Sequence, residues 1–515
     1  MRFLYSNTLE RAVAVAATTI VFAAPLAAQN PPTAPAPAAA PAGLTCEIDE
    51  SKPQSVARAT FSMTRAQAAL RTGTATKDLR DVVAALNAPG AKNENPVARA
   101  YLLGQAYVLL LDQPGVSPIS TRSTIGITTD PSGLIDLFAA ADSMWTIVEA
   151  TSPGCAEVGK QWRRQKPWLA VTNAAINAVN ANKFDSAEIY AKRALVLDRT
   201  APYAYSVLAS VAKNKKDYTT AAEYWKKTLE AAGTDTTFDD VRERTMVEMA
   251  GTATIRVDAA PPAGKKALAR EAINAWSTVF SKSTDDIQQT FALQNLAKLY
   301  VAAGDSLSIP KIYAPLLANP ARYGENALMQ AGVMASQFKR PEDAGRFFSV
   351  VLERNPYQRD ALNNLAASYI FLDQFDKVFP LVTRLNDLDP SNPENYMLNA
   401  YAYAGLVKAT KAAKLNKQYT DSLVYYTGKA DKLAVKVSFF EFSKGADATQ
   451  LSGTIENRSS AAKTYPFTVD FLDKTGKVLF TETVSVGPVP AKGAKEFTIK
   501  SAKGGVAAFR YKPVV

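Results

Sequence analysis

Histidine, which enzymes use often for proton transfer and metal binding, is absent from this sequence, and cysteine is scarce. None of its 515 residues is a histidine, which excludes histidine-dependent nucleophile activation and histidine metal sites. It contains no glycine-rich phosphate loop and no G-x-S-x-G motif. Two carboxylate doublets, Asp239-Asp240 and Asp285-Asp286, could supply the acid pair of a glycoside hydrolase. Adjacent residues do not face each other on a helix, so solvated helix starts explain both doublets better.

Residues 387–394, with the sequence DLDPSNPE, superficially resemble a calcium-binding loop. The central glycine of such a loop is replaced by Asn392, and Leu398 stands where the late bidentate glutamate belongs. We therefore interpret this segment as a turn between helices, in which Asn392 or Ser391 caps the next helix. The sequence predicts no catalytic residue, no metal site and no cofactor.

Residues 1–28 have the pattern of a secretory signal peptide. Arg2 and Arg11 flank a polar start, a short apolar run follows, and small residues up to Ala28 offer a cleavage site. An uncleaved membrane anchor is the alternative. No later segment approaches the roughly 20 consecutive apolar residues of a membrane helix. We therefore expect an exported chain, periplasmic or extracellular, with no transmembrane span in its mature form and no nucleic-acid partner.

Cys46 and Cys155 are the only cysteines. In an exported chain, two cysteines favour a single disulfide over a thiol catalyst or a metal site. Two unpaired buried thiols are the alternative interpretation.

Residues 29–43 form a Pro/Ala-rich linker, because eleven of the fourteen residues from 30 to 43 are proline or alanine. Proline fixes φ and removes a backbone donor, so this segment is expected to be an extended spacer. Ordinary terminal disorder is equally consistent with its composition.

The formal net charge of the chain is +11, and part of the excess is local. Residues 160–230 contain 13 Lys and Arg against 6 Asp and Glu. Such a stretch could attract an acidic partner, although a solvated helical surface with no partner explains it more simply.

Apolar residues recur at three- and four-residue steps from Pro53 onward, which indicates helices. Residues 44–157 are expected to form paired antiparallel helices without a clear repeat, the fourth of them over residues 134–148. A 34-residue period appears within residues 158–433. Phe184, Ala187 and Leu195 recur as Tyr218, Ala221 and Leu229, and Leu328, Gly332 and Pro356 recur as Leu362, Ala366 and Pro390.

This period, with two helices per copy, resembles the tetratricopeptide repeat. The motif positions of the copy beginning at Glu325 are filled by Leu328, Ala331, Gly332, Ala344, Phe348 and Pro356. An unrelated helical solenoid is the alternative. After Lys432 the period changes to two, as in Tyr465, Phe467, Val469 and Phe471, which predicts about seven short strands. Residues 434–515 resemble bacterial immunoglobulin-like modules of the FxLYD sort.

The predicted fold class is mainly α: a tetratricopeptide-type α-solenoid of antiparallel helix pairs followed by a small all-β sandwich. The resemblance implies an envelope scaffold or adaptor, not an enzyme, that holds a protein or peptide in a concave groove while the β-domain docks elsewhere. The first helix of each pair would line that groove. Amides there, and one tyrosine near the basic stretch, are the candidate contacts: Asn326, Gln330, Asn363, Asn399 and Tyr205. The alternative is a glycan-binding or glycan-cleaving protein, which aromatic rings and paired acids converging in one pocket would favour.

Overall fold

The computed structural model describes residues 46–514. The predicted signal peptide and the Pro/Ala-rich linker lie outside the described residues. The described chain divides into two compact units, residues 46–256 and residues 257–514. It is mostly helical up to Lys432 and consists of β-strands after it, as the sequence predicts.

The first unit consists of antiparallel helix pairs, with one two-stranded hairpin inserted among them. Its elements are α1 (Gln54–Ala69), α2 (Thr76–Asn87), α3 (Pro96–Leu110), β1 (Ile119–Thr121), β2 (Leu134–Asp136), α4 (Leu137–Thr151), α5 (Ala156–Arg163), α6 (Lys166–Asn180), α7 (Phe184–Leu197), α8 (Tyr203–Asn214), α9 (Tyr218–Ala232) and α10 (Asp239–Ala259), the last ending just beyond the unit boundary.

The helix predicted over residues 134–148 begins later than expected. Residues 134–136 belong to β2, which pairs with β1 in antiparallel register. The Asp136 carboxylate accepts the backbone N–H groups of Phe138 and Ala139 and so caps α4, which starts at Leu137. This is a correction: the cap, rather than the apolar pattern, decides where the helix begins.

The second unit continues the helix pairs and ends in the β-domain. Its helices are α11 (Pro262–Lys282), α12 (Asp286–Ala303), α13 (Ile309–Ala318), α14 (Glu325–Gln337), α15 (Pro341–Arg354), α16 (Arg359–Phe371), α17 (Val378–Leu388), α18 (Pro393–Ala409) and α19 (Ala413–Lys432). Its strands are β3 (Val435–Lys444), β4 (Thr449–Asn457), β5 (Lys463–Leu472), β6 (Val478–Val489), β7 (Ala494–Ser501) and β8 (Ala508–Tyr511).

The turn inside a helix pair has one geometry that recurs along the chain. The residue that reverses the chain has a positive φ: Asn182 (56°), Lys216 (62°), Gly304 (75°), Lys339 (58°) and Asp373 (55°). The residue that follows it donates its N–H to the carbonyl five positions earlier; these donors are Lys183, Asp217, Asp305, Arg340 and Gln374, at 2.7 to 2.9 Å. This bond closes the helix end in a Schellman-type arrangement. Asn182 and Lys216 are 34 residues apart, and so are Lys339 and Asp373. The 34-residue period is therefore present in the backbone as well as in the sequence.

Close packing within a pair explains the small residues of the repeat. A Cβ added at Gly332 on α14 would lie 2.6 Å from the Phe348 ring on α15. Both Gly332 and Ala344 are buried, which lets the two helices approach.

The β-domain has two antiparallel three-stranded sheets, in the orders β3-β4-β7 and β6-β5-β8. Tyr465, Phe467, Val469 and Phe471 of β5 are all buried and alternate with less buried positions, as their period of two predicts. The described part of this domain contains six strands rather than about seven. Residues 478–489 form one continuous strand because β6 pairs with β5 along nearly its whole length.

A disulfide joins Cys46 to Cys155 in the first unit. Cys155 is buried beside Trp145 and Val148, and Trp162 stacks on Trp145 at 6.2 Å between ring centroids. The bond therefore attaches the first described residue to the aromatic core of α4 and α5.

Candidate partner-binding face

Two first helices of the repeats, α12 and α14, lie side by side in the second unit. At one end, the Asp286 carboxylate accepts the backbone N–H groups of Asn326 (3.1 Å) and Ala327 (2.9 Å). Further along, Gln294 Nε2 donates to Gln330 Oε1 at 3.1 Å. Because the start of α12 meets the start of α14 and their middles also meet, the two helices run in the same direction.

The exposed side of α12 is unusually apolar. Ile287, Phe291 and Val301 are 63%, 42% and 55% exposed, and they lie on one helix face with Gln294 and Lys298. The opposite side of α12 carries the buried motif residues. We call the combined surface the α12–α14 face; it consists of Ile287, Phe291, Gln294, Val301, Asn326 and Gln330.

Two of the predicted contact residues belong to this face. Asn326 is exposed at the start of α14, and Gln330 is half-buried and bonded to Gln294. Asn363 is half-buried on α16, the next first helix.

Asn399 is not on a surface, because only 5% of it is exposed. The 34-residue register explains this position. Counting back from residue 399 reaches Leu365 and then Ala331, which are both buried packing positions. The structure therefore corrects the expectation that Asn399 lies open to a partner.

Tyr205 belongs to the other compact unit, apart from the four amides. It is half-buried on α8, and its hydroxyl donates to the carbonyl of Arg199 at 3.1 Å. Burial raises the pKa of Tyr205 above 10.0. Its hydroxyl therefore bonds a backbone group six residues earlier in the same unit.

The apolar residues of the α12–α14 face escaped the sequence interpretation. Ile287 and Phe291 are four residues apart, and both fall outside the motif slots that Leu293, Leu296 and Ala297 define. An apolar pair at helical spacing outside the buried register was the available signal.

The basic stretch of residues 160–230 is largely neutralised. Its cations pair with acids that mostly lie outside the stretch, for example Arg163 with Asp142 and Glu149, and Lys213 with Glu248. Ten of the 13 cations form ion pairs: Lys160, Arg163, Arg164, Lys166, Lys192, Arg193, Arg199, Lys213, Lys215 and Lys226. The local excess of charge therefore provides little free positive surface.

The carboxylate doublets occupy helix starts. Asp285 caps α12 by accepting the N–H of Gln288 at 2.7 Å. Asp286 accepts a backbone N–H from the start of α14. Asp239 pairs with Arg242, three residues further along α10. Within residues 46–514, no cluster of acidic or cysteine side chains could hold a metal ion.

The segment that resembled a calcium loop connects the repeats to the β-domain. Asn392 caps α18 through the N–H of Glu394 at 3.1 Å, as predicted. Asp389 is 1% exposed and accepts the Tyr511 hydroxyl of β8 at 2.5 Å, and the same hydroxyl accepts the N–H of Ser391 at 3.1 Å. The guanidinium of Arg359 lies 4.0 Å from Asp389.

Burial dominates the electrostatics of this connection. It raises the pKa of Asp389 above its ordinary 3.8, against the opposing effects of Arg359 and the Tyr511 hydroxyl. Burial and the neighbouring Asp389 together raise the pKa of Tyr511 well above 10.0. Arg359 also lies 4.7 Å from the Phe439 ring centroid and 5.2 Å from that of Phe509.

One repeat earlier, the residue equivalent to Asp389 makes a similar contact. Asn355 is fully buried and donates to the Ala507 carbonyl at 3.1 Å. The β-domain is thus bound to the closing turns of two successive repeats of its own unit.

An open cavity of about 450 Å³ lies where α19 meets the β-domain. Its lining includes Asp431, Glu456, Arg458 and Lys492 but no aromatic ring. Among the described residues, no helix is both long and apolar enough to span a membrane.

No family model matches the sequence, and no curated protein matches it. Matching solved structures include a tetratricopeptide repeat protein from Parabacteroides merdae, at 13% identity over 52% of this chain and 93% of that one, with a TM-score of 0.27. YrrB, a TPR protein with an unusual peptide-binding site, matches at 17% identity over 50% of this chain and 97% of its own, with a TM-score of 0.22. Yeast Tom70 matches at 14% identity over 73% and 69% of the two chains, with a TM-score of 0.26. At these TM-scores, nothing about the partner of this chain follows from the matches.

Proposed function

We propose that this chain is an exported scaffold or adaptor that binds a protein or peptide partner on its α12–α14 face. In this proposal the first helices of successive repeats line a groove, and Asn363 on α16 extends the binding surface. The β-domain, which we compare to the FxLYD modules, is a fixed part of the same unit.

One observation carries the proposal: apolar and amide side chains share one exposed surface. Ile287, Phe291 and Val301 offer apolar area that a partner would remove from water. Asn326, like Gln294 and Gln330, has both a donor and an acceptor, as binding to a peptide backbone requires. An exposed apolar patch next to such polar groups is typical of a protein-binding site.

Export is supported by different residues. The signal-peptide pattern of residues 1–28 is joined by a disulfide between Cys46 and Cys155, a bond that persists in oxidising compartments. Expression with the native N-terminus followed by N-terminal sequencing tests this part. A mature chain beginning at Gln29 in the periplasm or medium is expected, and an intact cytoplasmic chain beginning at Met1 would overturn it.

Binding can be tested with a pair of matched substitutions. Ile287 on α12 and Ile189 on α7 are both isoleucines on helices, with exposures of 63% and 67%. A photo-cross-linking residue at position 291 would first capture and identify the partner in the native envelope. Ile287→Ser should then weaken binding of the purified partner about tenfold, because it removes an exposed apolar side chain from the proposed interface.

Ile189→Ser should leave the affinity unchanged. Equal affinities of the two variants, both folded, would place the interface elsewhere. Circular dichroism melting of both variants checks that the fold is intact, since neither side chain is buried.

Glycan binding is the alternative function, and the structure separates the features that would favour it. The cavity beside α19 contains two carboxylates and no aromatic ring, and the exposed Tyr425 of α19 is not among the residues that line it. Titration with a chitin or peptidoglycan oligosaccharide distinguishes this candidate from a protein-binding scaffold.

A further inference from the structure

The last helix pair, α18 and α19, carries a concentration of tyrosines. The Tyr403 ring lies 5.7 Å from that of Tyr426 and 6.2 Å from that of Tyr419, and the Tyr425 ring lies 5.1 Å from that of Tyr426. The Lys429 ammonium lies 5.0 Å from the Tyr425 ring centroid and 6.0 Å from that of Tyr396. We call these residues the tyrosine surface: Tyr396, Tyr403, Tyr419, Tyr425, Tyr426 and Lys429.

The terminal helix that carries most of this surface is poorly covered. Of its 20 residues only Ala430 is buried, and Leu415, Val424 and Tyr425 are 43%, 66% and 54% exposed. A helix that ends a stack of repeats normally has a polar outer side, since no further repeat follows. The exposed apolar and aromatic side chains of α19 therefore indicate that something else covers it.

We propose that the tyrosine surface binds the proline-rich segment, residues 30–43, of a neighbouring copy of this chain. The segment contains Pro31, Pro32, Pro35, Pro37 and Pro41 and has no charged residue. Uncharged proline-rich peptide adopts the polyproline II conformation, and aromatic-lined surfaces recognise it at low entropic cost.

The chemistry of the two surfaces is complementary. Proline rings pack on the faces of tyrosine rings, and the unpaired carbonyls of a polyproline helix accept hydrogen bonds from tyrosine hydroxyls and from the Lys429 ammonium. Because the segment lacks charge, ring stacking and such hydrogen bonds are the interactions open to it.

The length of the segment allows it to reach another molecule. It ends just before Cys46, which the disulfide attaches to the first unit. A polyproline II helix rises about 3.1 Å per residue, so fourteen residues in that conformation would extend about 43 Å, enough to reach a neighbouring molecule. This inference concerns a different surface from the α12–α14 face, so each can fail without the other.

A fluorescent synthetic peptide of residues 29–43, titrated into the full mature chain, tests the proposal by anisotropy. Tyr425→Ser should weaken binding about tenfold or more, since exposed tyrosines are typical interface anchors. Tyr190→Ser on α7 is the matched control, because Tyr190 is also an exposed helical tyrosine, at 41%. A peptide with its five prolines replaced by serine should not bind.

Four outcomes would overturn the proposal. Equal binding by the Tyr425→Ser and Tyr190→Ser variants would place the site elsewhere. Binding only to a chain that lacks residues 30–43 would show that each copy occupies its own surface. If the peptide binds neither the full mature chain nor the chain that lacks residues 30–43, and chitotetraose gives a response that Tyr425→Ser abolishes, the surface binds glycans. If neither the peptide nor chitotetraose binds, the segment is likewise refuted as the occupant.

Discussion

Tyr511→Phe is the sharpest perturbation of the connection between the repeats and the β-domain. The hydroxyl of Tyr511 is buried, donates to Asp389 at 2.5 Å and accepts the N–H of Ser391 at 3.1 Å. Phenylalanine keeps the ring and its packing. It leaves the Asp389 oxygen without this donor and the Ser391 N–H without this acceptor, in a place where water cannot replace the hydroxyl.

The expected cost follows from those two groups. A hydrogen bond to a charged group contributes about 1.5 to 3 kcal/mol, and a buried N–H left without a partner costs about 1 to 3 kcal/mol. Allowing for relaxation, we expect the free energy of opening the β-domain to fall by about 3 to 5 kcal/mol. Tyr357→Phe is the matched control, because the Tyr357 hydroxyl bonds the Thr475 carbonyl at 3.1 Å on the exposed side of the same connection. There water takes over, and the loss should stay below about 1 kcal/mol.

Hydrogen exchange measured by mass spectrometry over β3 to β8 is the suitable assay, because it reports local opening in a chain with two compact units. The effect should also depend on pH. The Tyr511 hydroxyl opposes the rise in the pKa of Asp389, so it stabilises the ionised carboxylate. Its contribution is therefore present above the pKa of Asp389 and is lost as the pH falls through it. Equal losses for Tyr511→Phe and Tyr357→Phe, or a loss independent of pH, would refute this account.

Two further predictions concern packing and covalent structure. Gly332→Ala should lower the free energy of unfolding by about 1 to 3 kcal/mol, because the added methyl group would overlap the Phe348 ring. Gly345→Ala should raise it by about 0.5 to 1 kcal/mol, because the nearest atom to its added methyl group is 3.7 Å away. Urea denaturation compares the two variants, and a change of the same sign in both would contradict the packing argument. Non-reduced peptide mapping of exported protein should recover the Cys46 and Cys155 peptides linked to each other, and free thiols would contradict this. Reduction should lower the free energy of unfolding of the first unit by up to about 4 to 5 kcal/mol, since the bond closes a separation of 109 residues.

Much of the architecture is encoded in short stretches of sequence. The apolar periodicity of the helices, the change to a period of two after Lys432 and the cap at Asn392 each depend on residues a few positions apart. Backbone hydrogen bonds of helices and turns are local, so the apolar pattern and the capping residues suffice to predict them. The helix start at Leu137 was missed because the short strand before it forms only by pairing with residues 119–121.

The candidate sites depended on contacts between distant residues. Amide side chains looked alike in the sequence, and only packing distinguished the exposed Asn326 from the buried Asn399. Asp389 looked like part of a solvated loop until Tyr511, 122 residues later, was placed beside it. By itself, then, the sequence determined the class of fold and the period of the repeat, because these follow from local periodicity and close packing of neighbouring helices. Which polar and apolar side chains remain exposed was decided by the tertiary structure, because burial depends on all the elements that pack around a residue.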